Sequence, residues 1–198
     1  QGTLKSEFLE CDKIIEFIKK DEKFMKYLSG EHQRIMTGTI AGVKFKIKID
    51  SFFPDKCIVD QKIMKDLEPV WDDKTHTKMN LVDYYGYTIQ GAIYTEVVRQ
   101  NTGKKLPFIL AIATKEKVPA KALLRIDDQD LELALHMVED LAPIFDKMKH
   151  NVPLSEEDRV MLNKYDVKEK CGHCDWCKQN MMVTGIFSYH TIDPEERS

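Results

Sequence analysis

The sequence predicts an α/β protein in which a mixed central sheet is flanked by helices. Three observations lead there. Residues 5–29 carry apolar side chains at helical spacing, residues 39–50 alternate with a period of two, and "LPFILAIAT" (106–114) is apolar on both strand faces.

Taken in order, Phe8, Cys11, Ile14, Ile15 and Ile18 form the stripe of a first helix, with Lys and Glu on its other faces. "SGEHQ" (29–33) is expected to turn the chain. From Thr39 to Asp50, Val43, Phe45, Ile47 and Ile49 fall on one side, and Lys44, Lys46, Lys48 and Asp50 on the other. "FFPDK" (52–56) signals a turn and "CIVDQK" (57–62) a second strand, in which Cys57 is expected in the core. "WDDKTHTKMN" (71–80) is polar and loop-like. A helix follows from about Val82 to Gln100, with Gly103 placed as its C-terminal cap. After the central strand, "AKALLRI" (120–126) is a further strand, and residues 127–150 are a helix with an acidic first turn, which Pro143 should kink. A short helical stretch follows "NVPLS" (151–155). The order is helix, two strands, helix, two strands, helix.

The 198 residues suffice for one domain with a substantial core, and 42% apolar with 32% charged residues excludes a disordered chain. No apolar run approaches the ~20 residues of a membrane span, so a membrane partner is not expected. The first residue is Gln1, which suggests excision from a longer protein. A net charge of −3 argues against a uniformly basic DNA-binding surface but allows one local basic face. Five cysteines, three of them in "CGHCDWC" (171–177), do not resemble a secreted disulfide framework, so the cytoplasm is the expected compartment.

The chemistry concentrates between residues 50 and 62. Asp60 and Lys62 project to one strand face, and a hairpin of the two strands brings Asp50 beside Asp60. Two carboxylates this close repel unless a cation lies between them, and hard oxygen ligands suit Mg²⁺ or Mn²⁺. A lysine beside such a metal can orient water or stabilise charge on phosphorus. The bland alternative is a set of surface ion pairs of little consequence. Gln90 and Tyr94, four apart on the long helix, share a face next to its apolar stripe.

In combination, Asp50, Asp60-Gln61-Lys62 and "QGAIY" (90–94) resemble the PD-(D/E)XK nuclease superfamily, in its branch of phage-type exonucleases akin to exonuclease VIII and lambda exonuclease. "GTIAGVKFKIKID" (38–50) is similar to the family's strand into the first acid, and "NTGKKLPFILAIATKE" (101–116) to its later core strand. The resemblance runs roughly from Gly2 to Cys177 and implies a restriction-endonuclease-like αβββαβ core; the nuclease-like domain is expected over residues 1–165, with 166–198 as a cysteine-rich tail. It further implies that Asp50, Asp60 and the backbone carbonyl of Gln61 bind Mg²⁺ or Mn²⁺, with Lys62 acting on the water or the scissile phosphate. Gln90 and Tyr94 would support the site or touch DNA. Relatives often add an acid or histidine from an upstream helix, for which Glu31 and His32 are the nearest candidates. Relatives usually carry a further N-terminal segment, which is expected to precede these residues in the full protein.

Lys44, Lys46 and Lys48 offer a phosphate-binding face, which Lys62, Lys65, Arg99, Lys104 and Lys105 would extend. The spacing of Cys171, Cys174 and Cys177 suggests metal or redox chemistry, with Cys11, His173 or His190 as a fourth ligand; Zn²⁺, an iron–sulfur cluster and plain thiols all stay open. The expected activity is hydrolysis at double-stranded DNA ends in phage-type recombination, in a bacterial or phage-encoded enzyme. A homo-oligomer and a single-strand annealing recombination protein are the implied partners. Structure-specific or single-strand cleavage, and an inactive scaffold of the same fold, are the rivals.

Overall fold

The computed structural model describes residues 6–73 and 76–167, with side chains from residue 11 onward. The chain divides into two compact units, Gln1–Pro143 and Ile144–Ser198.

The first unit is built on a five-stranded mixed sheet in the order β1-β2-β3-β6-β7. Helices α1 (Ser6–Lys19) and α2 (Glu22–Leu28) precede β1 (Glu31–Ile40), β2 (Val43–Phe53) and β3 (Cys57–Met64). The expected single first helix is broken because Asp21 adopts an extended backbone and its side chain accepts the Phe24 N–H at 2.9 Å, capping a new helix. The expected turn at "SGEHQ" is instead the start of β1. Only Met36 and Ile40 of that strand are buried, so it lacks the apolar alternation that marks a strand in sequence. β1 and β2 run antiparallel from Glu31↔Phe52 to Ile40↔Val43, joined by Ala41 and Gly42, both at positive φ, as a two-residue hairpin requires.

β3 lies parallel to β6 (Phe108–Thr114), and α4 (Tyr87–Thr102) lies in the connection between them. β6 is the central strand the apolar run predicted, and β7 (Lys121–Arg125) pairs antiparallel with it. The expected helix from Val82 is two, α3 (Leu81–Tyr84) and α4, because Gly86 takes a left-handed conformation (φ 66°) between them. The loop-like segment 71–80 contributes a small separate hairpin, β4 (Val70–Asp72) with β5 (Thr77–Met79). One core, including Ile49, Phe52, Ile58, Leu110 and Val97, packs α4 on one face of the sheet. A second, with Ile14, Ile18, Phe24 and Val59, packs α1 and α2 on residues of the opposite strand parity. Cys57 is buried in this second core as expected, whereas Cys11 is exposed rather than part of its helix stripe.

Helix α5 (Asp128–Lys149) begins in the first unit and contains Pro143. In the second unit, Ser155 and Asp158 form a capping box at α6 (Glu156–Lys164). Lys147 Nζ donates to both Asp158 carboxylate oxygens at 2.8 Å.

Candidate active site

Strands β2 and β3 form a fork. Their ladder comprises Phe53↔Cys57, Phe52↔Ile58 and Ser51↔Val59, and it ends one step short of Asp50 and Asp60. Beyond that point β2 keeps only its pairing with β1, and β3 its pairing with β6. Side chains take over from the missing ladder. The Gln61 backbone N–H donates to Asp50 Oδ2 at 2.9 Å, and the Tyr94 hydroxyl donates to the Lys48 carbonyl at 3.1 Å.

Asp60 points toward α4. Its Oδ1 accepts from Gln90 Nε2 at 2.7 Å. Its Oδ2 is buried and lies 2.7 Å from Lys62 Nζ, a charge-assisted contact and the one polar partner this oxygen has among the described residues. Burial pushes the Asp60 carboxyl above its ordinary value; Lys62 pulls it back, and the nearby Asp50 carboxylate adds to the rise. A buried carboxylate near a second carboxylate is a donor set that fits a hard divalent cation.

Helix α4 holds the fork open. Gln90 and Tyr94, one turn apart, reach the β3 and β2 arms respectively. Gly91 lets α4 pack closely on β6 and α5: a Cβ there would lie 2.7 Å from Leu131 and 2.8 Å from Phe108. Gln90 and Tyr94 thus have polar atoms engaged inside the protein.

Two contacts escape the sequence reading. Gln33 Nε2 donates to Asp50 Oδ1 at 3.1 Å from a position opposite Asp50, where β1–β2 pairing lapses and Gln33 adopts φ 55°. That left-handed backbone is a strained choice for a non-glycine residue and is often found at functional sites. Nothing in "SGEHQR" marks it. Tyr87 lies under Lys62, whose Nζ is 4.9 Å from the ring centroid, and Tyr85 stacks on Tyr87 at 5.7 Å. Here the aromatic run "YYGY" (84–87), just before the QGAIY stretch, was an available signal.

Other expected residues are not gathered. Glu31 and His32 stand on β1 and are exposed, and among the described residues no three His, Cys, Asp or Glu side chains converge as a metal cluster. Glu31 thus does not join Asp50 and Asp60; the side chain that reaches Asp50 from β1 is Gln33. Lys44, Lys46 and Lys48 are exposed, opposite Thr39, Thr37 and Ile35 on β1. The proposed extension of that basic face is largely neutralised locally: Lys65 pairs with Asp66, Arg99 with Glu96, Lys104 with Asp55 and Lys105 with Glu132. Cys171, Cys174 and Cys177, with His173 and His190, lie outside the described residues.

The fork can now be set beside known proteins. A model of a family described as "PDDEXK-like domain of unknown function (DUF3799)" matches residues 1–180. The chain belongs to this family. It is also similar to a crystal structure from Eubacterium rectale described as a "putative exonuclease", with 40% sequence identity and a TM-score of 0.79. That similarity covers 94% of this chain but 65% of the other, so the chain spans about two thirds of its relative's length. No curated protein matches. The restriction-endonuclease-like fold expected of a PD-(D/E)XK protein is the fold observed, with one strand, β1, more than the residue pattern alone disclosed.

Proposed function

We propose that this PDDEXK-like chain is the catalytic core of a metal-dependent DNA exonuclease that hydrolyses phosphodiester bonds at duplex ends. The observation that carries the reading is the fork itself: Asp50, Asp60 and Lys62 gather where β2 and β3 separate, with the buried Asp60 carboxylate held between Gln90 and Lys62. The similar structure's description as a "putative exonuclease" supports the exonuclease reading.

Asp50, Asp60 and the Gln61 backbone carbonyl would hold Mg²⁺ or Mn²⁺, which supplies electrostatic stabilisation of the phosphate and acidifies water. Gln90 fixes one Asp60 oxygen so that the other faces the fork. Lys62, held between Asp60 and the Tyr87 ring, presents its ammonium to a phosphoryl oxygen and steadies the charge that develops there. Exposed Lys44, Lys46 and Lys48 bind the DNA backbone without reading bases. A cytoplasmic role in phage-type recombination, beside a single-strand annealing protein, goes with this reading.

Mn²⁺ titration by calorimetry, run on the wild type and on Asp60→Ala, tests it first. Binding lost in the variant, followed by metal-dependent shortening of linear but not circular duplex, is the expected result. Binding indifferent to Asp60, or cleavage of closed circles at the same rate, would overturn it.

A further inference from the structure

Away from the fork, the first unit carries a groove of about 500 Å³ between α2, the β2–β3 turn and the starts and ends of β6 and β7. Lys23, Lys26, Lys56 and Arg125 line it together with Tyr27 and Phe53, and no carboxylate does. Arg125 is paired with Asp128 at 3.1 Å. The ammonium groups of Lys23, Lys26 and Lys56 have no acidic partner among the described residues. This sets them apart from Lys65, Lys104, Lys105 and Lys121, each of which has one. Tyr27 and Phe53 are only half buried, and both belong to the α1/α2 side of the sheet.

Three cations without an acidic partner among the described residues, set around two partly exposed rings, attract an anion that also carries a flat apolar face. The volume is that of a small-ligand pocket, too small for a duplex, whose bases are in any case stacked inward. An unstacked nucleotide meets both demands, its phosphates on the lysines and its base on a ring. The groove begins at Phe53 and Cys57, three ladder pairs from Asp50 and Asp60, or about 10 Å along the strands. Because the groove lies on the α1/α2 side of the sheet and Asp60 points toward α4, a strand leaving the fork reaches the groove by passing around the β2–β3 pairing.

We propose that this groove is a second nucleic-acid site, which holds a single DNA strand through Lys23, Lys26 and Lys56 on its phosphates and Tyr27 or Phe53 on a base. The proposal rests on the nuclease reading above for the source of that strand. Its occupant is a single strand because charge and rings are presented together inside one narrow groove.

The test is fluorescence anisotropy of labelled ten-residue oligo-dT on the full chain in EDTA, which removes catalysis from the measurement. The triple variant Lys23→Glu, Lys26→Glu, Lys56→Glu should bind at least tenfold more weakly. Its plot of log K against log salt should be shallower by about 2, the loss of three single-strand phosphate contacts. The corresponding triple arginine variant should retain binding. Should the glutamate variant not fold, 2-aminopurine within the oligonucleotide gives an independent reading: its fluorescence should fall on binding the wild type and recover with Tyr27→Leu. Unchanged affinity in a folded glutamate variant, no binding by the wild type, or equal competition by polyglutamate would each overturn the proposal. Lysine-dependent binding in a chain that hydrolyses no DNA would instead sink the nuclease reading and leave the groove standing.

Discussion

The two ends of the β2–β3 pairing make opposite use of the same strands. At the closed end, Ser51–Phe53 and Cys57–Val59 satisfy each other's backbone, and the side chains are free to be apolar: Phe52, Ile58 and Val59 are all buried. At the open end the ladder is missing, and polar side chains do its work: Asp50 takes the Gln61 N–H and Tyr94 serves the Lys48 carbonyl. The proposed chemistry sits where the sheet stops satisfying itself. The closed end supplies the rigidity, and the open end keeps a buried carboxylate, Asp60, whose desolvation costs stability.

If that division is right, substitutions at the two ends should separate activity from stability. Asp60→Ala should lower the metal-dependent cleavage rate by about a thousandfold or more, ~4 kcal/mol of transition-state stabilisation, while the melting temperature moves by only a few degrees. A collapse of folding in that variant would erase the distinction. At the closed end, Ile58→Ala should cost about 3 kcal/mol of unfolding free energy by denaturant titration, and the folded fraction should keep its Mn²⁺ affinity. Gln90→Ala removes the contact that orients Asp60, so cleavage should fall roughly 10–100-fold, with weaker Mn²⁺ binding and a modest change in melting temperature. Tyr94→Phe, which deletes only the bridge to β2, should cost ~1 kcal/mol of stability and less activity than Gln90→Ala; the reverse order would mean that Tyr94 contacts the substrate.

The smallest effect lies in the other unit and acts as a control. The Lys147 ammonium beside Asp158, together with the Ser155 backbone N–H, holds the Asp158 carboxyl below its ordinary value. A carboxyl depressed in the folded state stabilises above its unfolded pKa, and that contribution is lost as pH falls through the folded value. Asp158→Asn should therefore lower stability at neutral pH, and its difference from the wild type should shrink in acid, as followed by thermal unfolding across pH. A gap that widened in acid would contradict the pairing.

Much of the fold was legible because periodicity reports burial. The central strand announced itself in "LPFILAIAT", which needs both faces covered, and β2 in the alternation from Val43 to Ile49. β1 was not legible, since a strand with two buried side chains has little pattern to show. Breaks at Asp21 and Gly86 were missed because single residues ended helices whose apolar spacing continued past them. Asp60 beside Lys62 followed from strand alternation alone, and Gln90 with Tyr94 from helical spacing. Gln33 could not be foreseen, for its reach to Asp50 depends on strand register and a left-handed backbone.

By itself the sequence determined which side chains share a strand face or a helix face, because those relations are set by the 2.0 and 3.6 periods of a single element. It therefore carried the family resemblance, the pair Asp60 and Lys62, and the helical pair that attends them. Only the tertiary structure decided that β2 and β3 part company at Asp50, that Gly91 lets α4 pack on β6 and α5, and that Lys23, Lys26, Lys56 and Tyr27 surround one groove. These are relations between elements, fixed by register and packing among distant residues, and no local period encodes them.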